Sequence, residues 1–255
     1  MLSDLLNGGI ISTEYFIITL LSMLFVIFCT MPIHEAAHAF TAHKLGDNTA
    51  KSFGRLTLNP IKHINYIGAL LMLAFGFGWA EPVPVNQWNL RKPKRDMALI
   101  AAAGPISNIL MAIVLMLIIN IIDFISGFFG IEMFIFGNEL HYISSSDFTF
   151  KLFYYVILFL KIAASTNIYL AAFNLIPFPP LDGSRILGAF LPNRIYYRLQ
   201  SFEQYTFIIV IALAATGALS STIGFIGDNL YNVIDYIVTL PFSLFEAALP
   251  FHNAI

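Results

Sequence analysis

The chain reads YFIITLLSMLFVIFCTMPIHEAAHAF from Tyr15 to Phe40, an apolar run that ends in the motif HExxH. On an α-helix, residues four positions apart lie one above the other, so His34 and His38 present two imidazoles to a single metal ion. Glu35 lies about 100° round the helix from His34, where it can reach a water molecule without ligating the metal itself. The stretch therefore predicts a membrane-inserted helix with the ligand pattern of a zinc hydrolase.

The composition also indicates an integral membrane protein. Of the 255 residues, 58% are hydrophobic and only 11% are charged, whereas soluble domains average about 25% charged residues. A net charge of −2 argues against a nucleic-acid partner, and the single cysteine, Cys29, excludes an internal disulfide or a Cys-rich metal site. We predict one membrane-embedded domain over residues 1–255, with a core at about 15–190 and accessory C-terminal helices at 200–255.

Four segments have the roughly 20 apolar residues that a membrane crossing needs. They are Tyr15 to about His43, Met97–Ile122, Leu152–Ile176 and Tyr205–Ile226. A fifth segment, Leu230–Leu249, is interrupted by two acidic residues and a proline, and the sequence does not decide between a span and an interfacial helix. The expected fold is an all-α polytopic membrane protein with about five transmembrane helices.

The segment Tyr66–Trp79 is too short for an ordinary span and contains three glycines. We expect a short re-entrant or β element between the first and second spans, because crossing would place one of its two flanking basic clusters outside, against the positive-inside rule. Without that crossing, every Lys and Arg except Lys151 and Lys161 falls on the cytoplasmic side. This topology puts the N-terminus outside.

The third predicted span ends in NLIPFPPLDG, from Asn174 to Gly183. Three prolines in four positions cannot continue an α-helix, and the predicted topology brings this break to the membrane depth of the HExxH helix. A carboxylate at that depth needs a partner. A zinc ion on His34 and His38 is such a partner for Asp182, and these three ligands leave the fourth tetrahedral position for water.

The expected chemistry is peptide hydrolysis with one Zn²⁺ per chain. Zinc lowers the pKa of bound water to roughly 7, Glu35 acts as the general base, and the side-chain amide of Asn174 is a candidate for stabilising the oxyanion. Because lipid contains no water, the site needs a polar cavity that reaches the cytoplasm.

Other interpretations of the same residues are a structural polar cluster, a helix-capping role for Asp182, and a metal-binding transporter. A transporter would need a polar pathway on both sides of the site. A non-catalytic scaffold would have lost the base or a ligand, and both are present in this chain.

The pair of motifs resembles the site-2 protease family of intramembrane zinc metalloproteases. The segments GRLTLNPIKH (54–63), GWAEPVPVN (78–86) and AGPISN (103–108) are similar to the compact bacterial branch of that family, although the chain carries no PDZ or CBS domain. The resemblance implies that His34, His38 and Asp182 bind zinc, that Glu35 is the base, and that Asn174 helps to hold substrate or oxyanion.

The resemblance further implies a multi-pass protein of the bacterial cytoplasmic membrane. Its substrates would be single-span membrane proteins, cut within or next to their helix. Segment 76–86 is similar to the re-entrant element of the family, which suggests that it adds a strand to an extended substrate; a simple surface plug is the alternative interpretation. The sequence does not predict the oligomeric state.

Overall fold

A computed structural model of the protein describes residues 13–75, 78–128, 135–136, 139–140, 148–201 and 216–248. Most of these residues are helical. The α-helices are α1 (Thr13–Phe25), α2 (Met31–Lys44), α3 (Thr49–Ser52), α4 (Tyr66–Phe75), α5 (Pro93–Phe128), α6 (Phe148–Leu175), α7 (Asp182–Gly188), α8 (Asn193–Gln200) and α9 (Ala218–Ala248). Two short strands, β1 (Ile135–Phe136) and β2 (Glu139–Leu140), form an antiparallel pair.

Among the described residues, three helical runs are long and apolar enough to cross a membrane: Thr13–Lys44, Pro93–Ser126 and Lys151–Leu175. They confirm the first three predicted spans. Residues 205–215 of the fourth predicted span lie outside the described residues.

The first run contains one π-helical turn, Val26–Thr30, between α1 and α2. Pro32 follows this turn at the start of α2. A proline ring inside a regular helix collides with the carbonyl four residues earlier and leaves it without a donor. The wider π turn accommodates Pro32 without ending the helix, so that the HExxH motif continues from the membrane span.

The C-terminal region differs from the prediction. The sequence placed a boundary between Ile226 and Leu230, but α9 runs unbroken through Gly227 and Asp228. The reason is a tertiary contact with α6. A Cβ at Gly227 would overlap the ring of Tyr169, and the Tyr169 hydroxyl donates a hydrogen bond of 2.6 Å to Asp228 Oδ1. Both residues therefore serve helix packing rather than helix termination.

The segment between the first two long runs folds back on itself. The ten residues of α4 are followed by a stretch without regular secondary structure at 78–86, and no strand is assigned among the described residues of this segment. A Cβ at Gly68 would overlap the backbone of Trp79, and a Cβ at Gly78 would overlap the backbone of Gly68. These glycines allow α4 and the returning chain to pack backbone against backbone.

Helix α5 lies at the centre of the packing, in contact with α2, α6, α7 and α9. The largest buried cluster joins α5, α6 and α9 and includes Ala112, Leu115, Ile157, Ala164, Ile168, Ile234 and Val238. Its alanines let the helices approach closely, as is common between membrane helices. A smaller cluster of Ala42, Leu90, Met97 and Ile100 fixes the end of α2 against the start of α5.

The turn after α2 is built around Asp47, whose side chain is fully buried. Oδ1 accepts hydrogen bonds from the backbone N–H of Thr49 at 3.0 Å, from its hydroxyl, and from Asn89 Nδ2 at 2.8 Å. Oδ2 accepts the backbone N–H of Asn86 at 2.7 Å. Burial raises the pKa of Asp47, but these hydrogen bonds outweigh it and hold the pKa below its ordinary value.

This turn should contribute less to stability in acid. The pKa of Asp47 is lower in the folded protein than its ordinary value of 3.8. The contribution of this carboxylate to the free energy of unfolding is therefore complete above pH 3.8 and disappears as the pH falls through the folded pKa. We expect the difference in Tm between the wild type and Asp47→Asn in detergent to shrink as the pH is lowered from about 7 to 3. A difference that stays constant over this range would contradict the prediction.

Candidate metal centre

Helix α2 places His34 and His38 on one face, as their spacing predicts. The two imidazoles are nearly buried, at 9% and 8% exposure, and their Nε2 atoms lie 3.0 Å apart. The rings meet edge to face, at an interplanar angle of 85°. Both Nε2 atoms therefore point toward the same small volume.

Asp182 joins this pair from the far side of the proline break. Helix α6 ends at Leu175, and α7 begins at Asp182 with Leu181 in the N-cap position and no side-chain cap. The carboxylate turns toward α2 instead, so that Oδ2 lies 3.4 Å from His34 Nε2 and 3.3 Å from His38 Nε2. The structure thus assigns Asp182 to the imidazoles rather than to the capping role that the sequence left open.

The spacing of these three atoms fits a zinc ion. Tetrahedral zinc with bonds of about 2.0–2.1 Å separates its ligand atoms by about 3.3–3.4 Å. The observed separations of 3.0, 3.3 and 3.4 Å are close to that value. Two imidazole nitrogens and one carboxylate oxygen are also a ligand set that zinc prefers, and they leave one coordination position open.

His38 is held in its orientation by a backbone carbonyl. Its Nδ1 lies 2.7 Å from the carbonyl oxygen of Ile100 on α5. A hydrogen bond from Nδ1–H to this carbonyl selects the tautomer in which Nε2 carries a free lone pair, as is typical of metal-binding histidines.

Gly104 is part of the site, a role that the sequence did not predict for this residue. A Cβ at Gly104 would lie 2.5 Å from Cε1 and Nε2 of His34 and 2.5 Å from Cε1 of His38. No other residue type leaves room for both imidazoles against α5. The signal for this contact was present in AGPISN, but a glycine in a helix does not reveal which side chain packs on it.

Substituting Gly104 with Ala should therefore disturb the metal centre directly. The added methyl group displaces the imidazoles, and we expect zinc affinity and peptidase activity to fall by about 10- to 100-fold. Gly224→Ala is the matched control, because this helical glycine has nothing within 4 Å of an added Cβ. Zinc content by mass spectrometry and a titration with a chelator would measure the effect, and equal behaviour of the two variants would contradict it.

Glu35 lies beside the three candidate ligands at 9% exposure. Its Oε2 accepts a hydrogen bond of 3.0 Å from the backbone N–H of Val83, which belongs to segment 78–86. The carboxylate is thus fixed by the main chain rather than by the metal ligands. Oε2 is held in place, and the orientation of the whole carboxylate follows.

These groups line a cavity of about 420 Å³. Besides the HExxH residues and Asp182, its wall includes Asn174, Asn108, Arg185, Trp79 and Pro82. Asn174 lies on the last turn of α6, where its Nδ2 donates to the carbonyl of Leu170 at 3.0 Å. Asn108 is 2% exposed, and its buried Oδ1 has no hydrogen-bond partner among the described residues.

Three further polar residues near the sequence motifs, Asn86, His63 and His43, lie outside the metal centre. Asn86 accepts from the N–H of Trp88 at 3.1 Å and is absent from the cavity wall, so its role is local backbone satisfaction. His63 is fully buried, and its Nε2 contacts the carbonyl oxygen of Thr57 at 2.9 Å. His43 contacts Asn48 at 2.6 Å on the exposed side of α2, away from the ligand pair.

Comparison with known proteins agrees with this geometry. Peptidase family M50 matches residues 20–217. The chain is 38% identical over 202 residues to "Putative zinc metalloprotease YwhC" of Bacillus subtilis, which covers 79% of this chain and 80% of that protein. It is 28% identical over 195 residues to "Putative zinc metalloprotease Rip2" of Mycolicibacterium smegmatis, covering 74% of this chain and 64% of the relative.

A further Rip2, from Mycobacterium tuberculosis, is 27% identical over 193 residues. No solved structure matches the chain. The matched family region contains the HExxH helix, the whole of α5 and α6, and the Asp182 turn. The chain therefore belongs to peptidase family M50, the site-2 protease family, and is a membrane-embedded metalloprotease.

Proposed function

We propose that the protein is a zinc-dependent intramembrane endopeptidase of the bacterial cytoplasmic membrane. It hydrolyses peptide bonds within or next to the transmembrane segments of single-span membrane proteins, with one zinc per chain. The observation that carries the proposal is the meeting of His34, His38 and Asp182 beside Glu35, in one cavity formed by apolar helices. A non-catalytic scaffold would lack a ligand or the base, and this chain has both.

The residues divide the chemistry between them. His34, His38 and Asp182 would hold the zinc ion, which would supply Lewis acidity to the peptide carbonyl and to water. Glu35 takes the proton from the attacking water and delivers it to the leaving amine nitrogen. Asn174 lines the same cavity, and its side-chain amide is the proposed hydrogen-bond donor to the oxyanion.

The substrate must be extended where it is cut, because the backbone of a helix is closed by its own hydrogen bonds. A cavity of about 420 Å³ holds a few residues of unwound chain and not a whole helix. Trp79, Pro82 and Val83, which lie in the stretch without regular secondary structure, line its wall. We propose that this re-entrant segment lies alongside the unwound substrate and pairs with it through main-chain hydrogen bonds.

The charge distribution supports an active site that opens toward the cytoplasm. Basic clusters flank the segment before α5 and follow the Asp182 turn, and all of them adjoin the catalytic end of the long helices. The positive-inside rule then places this end in the cytoplasm and the N-terminus outside.

A transporter would need a continuous polar route through the membrane. A second polar cavity of about 140 Å³, lined by Asp123, Lys161 and Asp235, lies among α5, α6 and α9. It shares no lining residue with the cavity at the metal centre. Among the described residues, the two polar regions therefore do not form one pathway, which favours the peptidase.

The decisive experiment uses the full chain, purified in detergent or in lipid nanodiscs, and a panel of single-span substrates. We expect about one zinc per chain by mass spectrometry, cleavage within or next to the substrate helix by product analysis, and loss of cleavage with a zinc chelator that added zinc reverses. Zinc-loaded protein that cuts no member of the panel, or cleavage that resists the chelator, would overturn the proposal.

A further inference from the structure

Glu35, the proposed general base, accepts a hydrogen bond from a segment that contains none of the three candidate metal ligands. We call residues 81–86 the strap. In its middle, the N–H of Val83 donates to Glu35 Oε2 at 3.0 Å. At its start, the N–H of Glu81 donates to the carbonyl of His63 at 2.7 Å, and at its end the N–H of Asn86 donates to Asp47 Oδ2 at 2.7 Å. The strap is thus tied down on both sides of the catalytic contact.

The residue that anchors the end of the strap is Asp47, a buried carboxylate. A carboxylate with no exposed surface is costly to bury unless hydrogen bonds compensate for the lost water. The bonds at the start of α3 use only Oδ1, which accepts from Thr49 and also from Asn89 Nδ2. The second oxygen, Oδ2, accepts from Asn86, and a shorter capping residue such as Ser would have no atom to make this bond.

We propose that Asp47 is a positioning residue for Glu35: it fixes the end of the strap and thereby holds the Val83 N–H against the catalytic carboxylate. The inference rests on the proposed role of Glu35 as the base. It assigns to Asp47 a part in the reaction although its carboxylate contacts only the turn after α2, the end of the strap and the side chain of Asn89.

Stiffness of the strap makes the coupling physically reasonable. Only Pro84 and Val85 separate the bonded N–H groups of Val83 and Asn86, and the proline ring fixes one of the intervening φ angles. If the backbone at Asn86 is released from Asp47, the backbone at Val83 therefore gains mobility as well. A catalytic group that is displaced by about 1 Å can lose as much as about a hundredfold in rate.

Two pairs of variants test the proposal in the zinc-loaded full chain. Asp47→Ser keeps one side-chain oxygen that can accept the N–H of Thr49 and loses the bond to the strap, whereas Thr49→Val removes the hydroxyl that donates to Oδ1 and leaves the strap bond intact. With a single-span substrate, we expect Asp47→Ser to lower kcat about tenfold or more with KM within about twofold. Thr49→Val should retain the wild-type kcat, and both variants should retain zinc.

The second pair acts from the strap itself. Asn86→Pro removes the N–H that Asp47 binds, and Asn86→Ala removes only the side chain that caps the turn at Trp88. We expect the proline variant to reproduce the loss in kcat and the alanine variant to lose far less. If Asp47→Ser does not fold, the two Asn86 variants still test whether the bond between Asp47 and Asn86 positions Glu35.

Hydrogen–deuterium exchange gives a readout that needs no catalysis. Peptides that cover residues 82–87 should exchange faster in Asp47→Ser and Asn86→Pro than in their paired controls. Equal kcat in paired variants, zinc loss in Asp47→Ser, or unchanged exchange would each overturn the positioning role. A wild-type enzyme that fails to cleave any substrate, with exchange changed as expected, would instead count against the proposed function.

Discussion

Substituting Glu35 with Gln should abolish peptide cleavage and leave zinc in place. Glutamine matches glutamate in size, and its side-chain oxygen can still accept the N–H of Val83, so the nearly buried site should keep its shape. The amide cannot accept the proton of the attacking water at neutral pH. Since general acid–base catalysis contributes about 10²- to 10⁴-fold, we expect kcat to fall by that factor while zinc content stays at the wild-type value.

The matched control is Glu81→Gln, which makes the same chemical change on the strap. The Glu81 side chain is 44% exposed and accepts from Asn65 Nδ2 at 3.1 Å, and it is not part of the cavity wall. We expect activity within a few-fold of wild type. If Glu35→Gln cleaved as fast as this control, the base would have to be another group and the site would no longer explain hydrolysis.

The fold was predictable where the sequence is uniformly apolar. The first three spans follow directly from hydropathy, because a membrane crossing must bury every side chain in lipid or protein over about 20 residues. The C-terminal helix was not predictable in the same way. Gly227 and Asp228 normally indicate a break, and only their contacts with Tyr169 on α6 explain why the helix continues.

The candidate site shows the same division. The spacing of His34 and His38 is a local property of one helix, and Asp182 could be brought to them from topology alone. The contact of Gly104 with both imidazoles and the tie from Asp47 through the strap to Glu35 depend on backbone groups of distant segments. Such contacts leave no periodic pattern in the sequence, since every residue type carries the same backbone.

Substituting Asp182 with Ala should remove zinc as well as activity. The change takes away the single anionic ligand and leaves two neutral imidazoles to hold a dication in a site with little access to water. An uncompensated charge is strongly disfavoured in such surroundings. Because the loss of a residue behind the ligands already costs about 10- to 100-fold in metal affinity, we expect the loss of a direct ligand to exceed about 100-fold.

Asp228→Ala is the control for this prediction, because it removes a carboxylate that pairs with Tyr169 between α6 and α9 and touches neither histidine. It should bind about one zinc per chain, whereas Asp182→Ala should lose zinc during dialysis. Loss of zinc from Asp182→Ala would identify Asp182 as a ligand, whereas retained zinc would not. A capping role does not compete with this interpretation, because α7 begins at Asp182 without a side-chain cap. Stoichiometric zinc in Asp182→Ala would mean that the third ligand is another group, and the 3.3 and 3.4 Å contacts with the imidazoles would then be simple ion pairs.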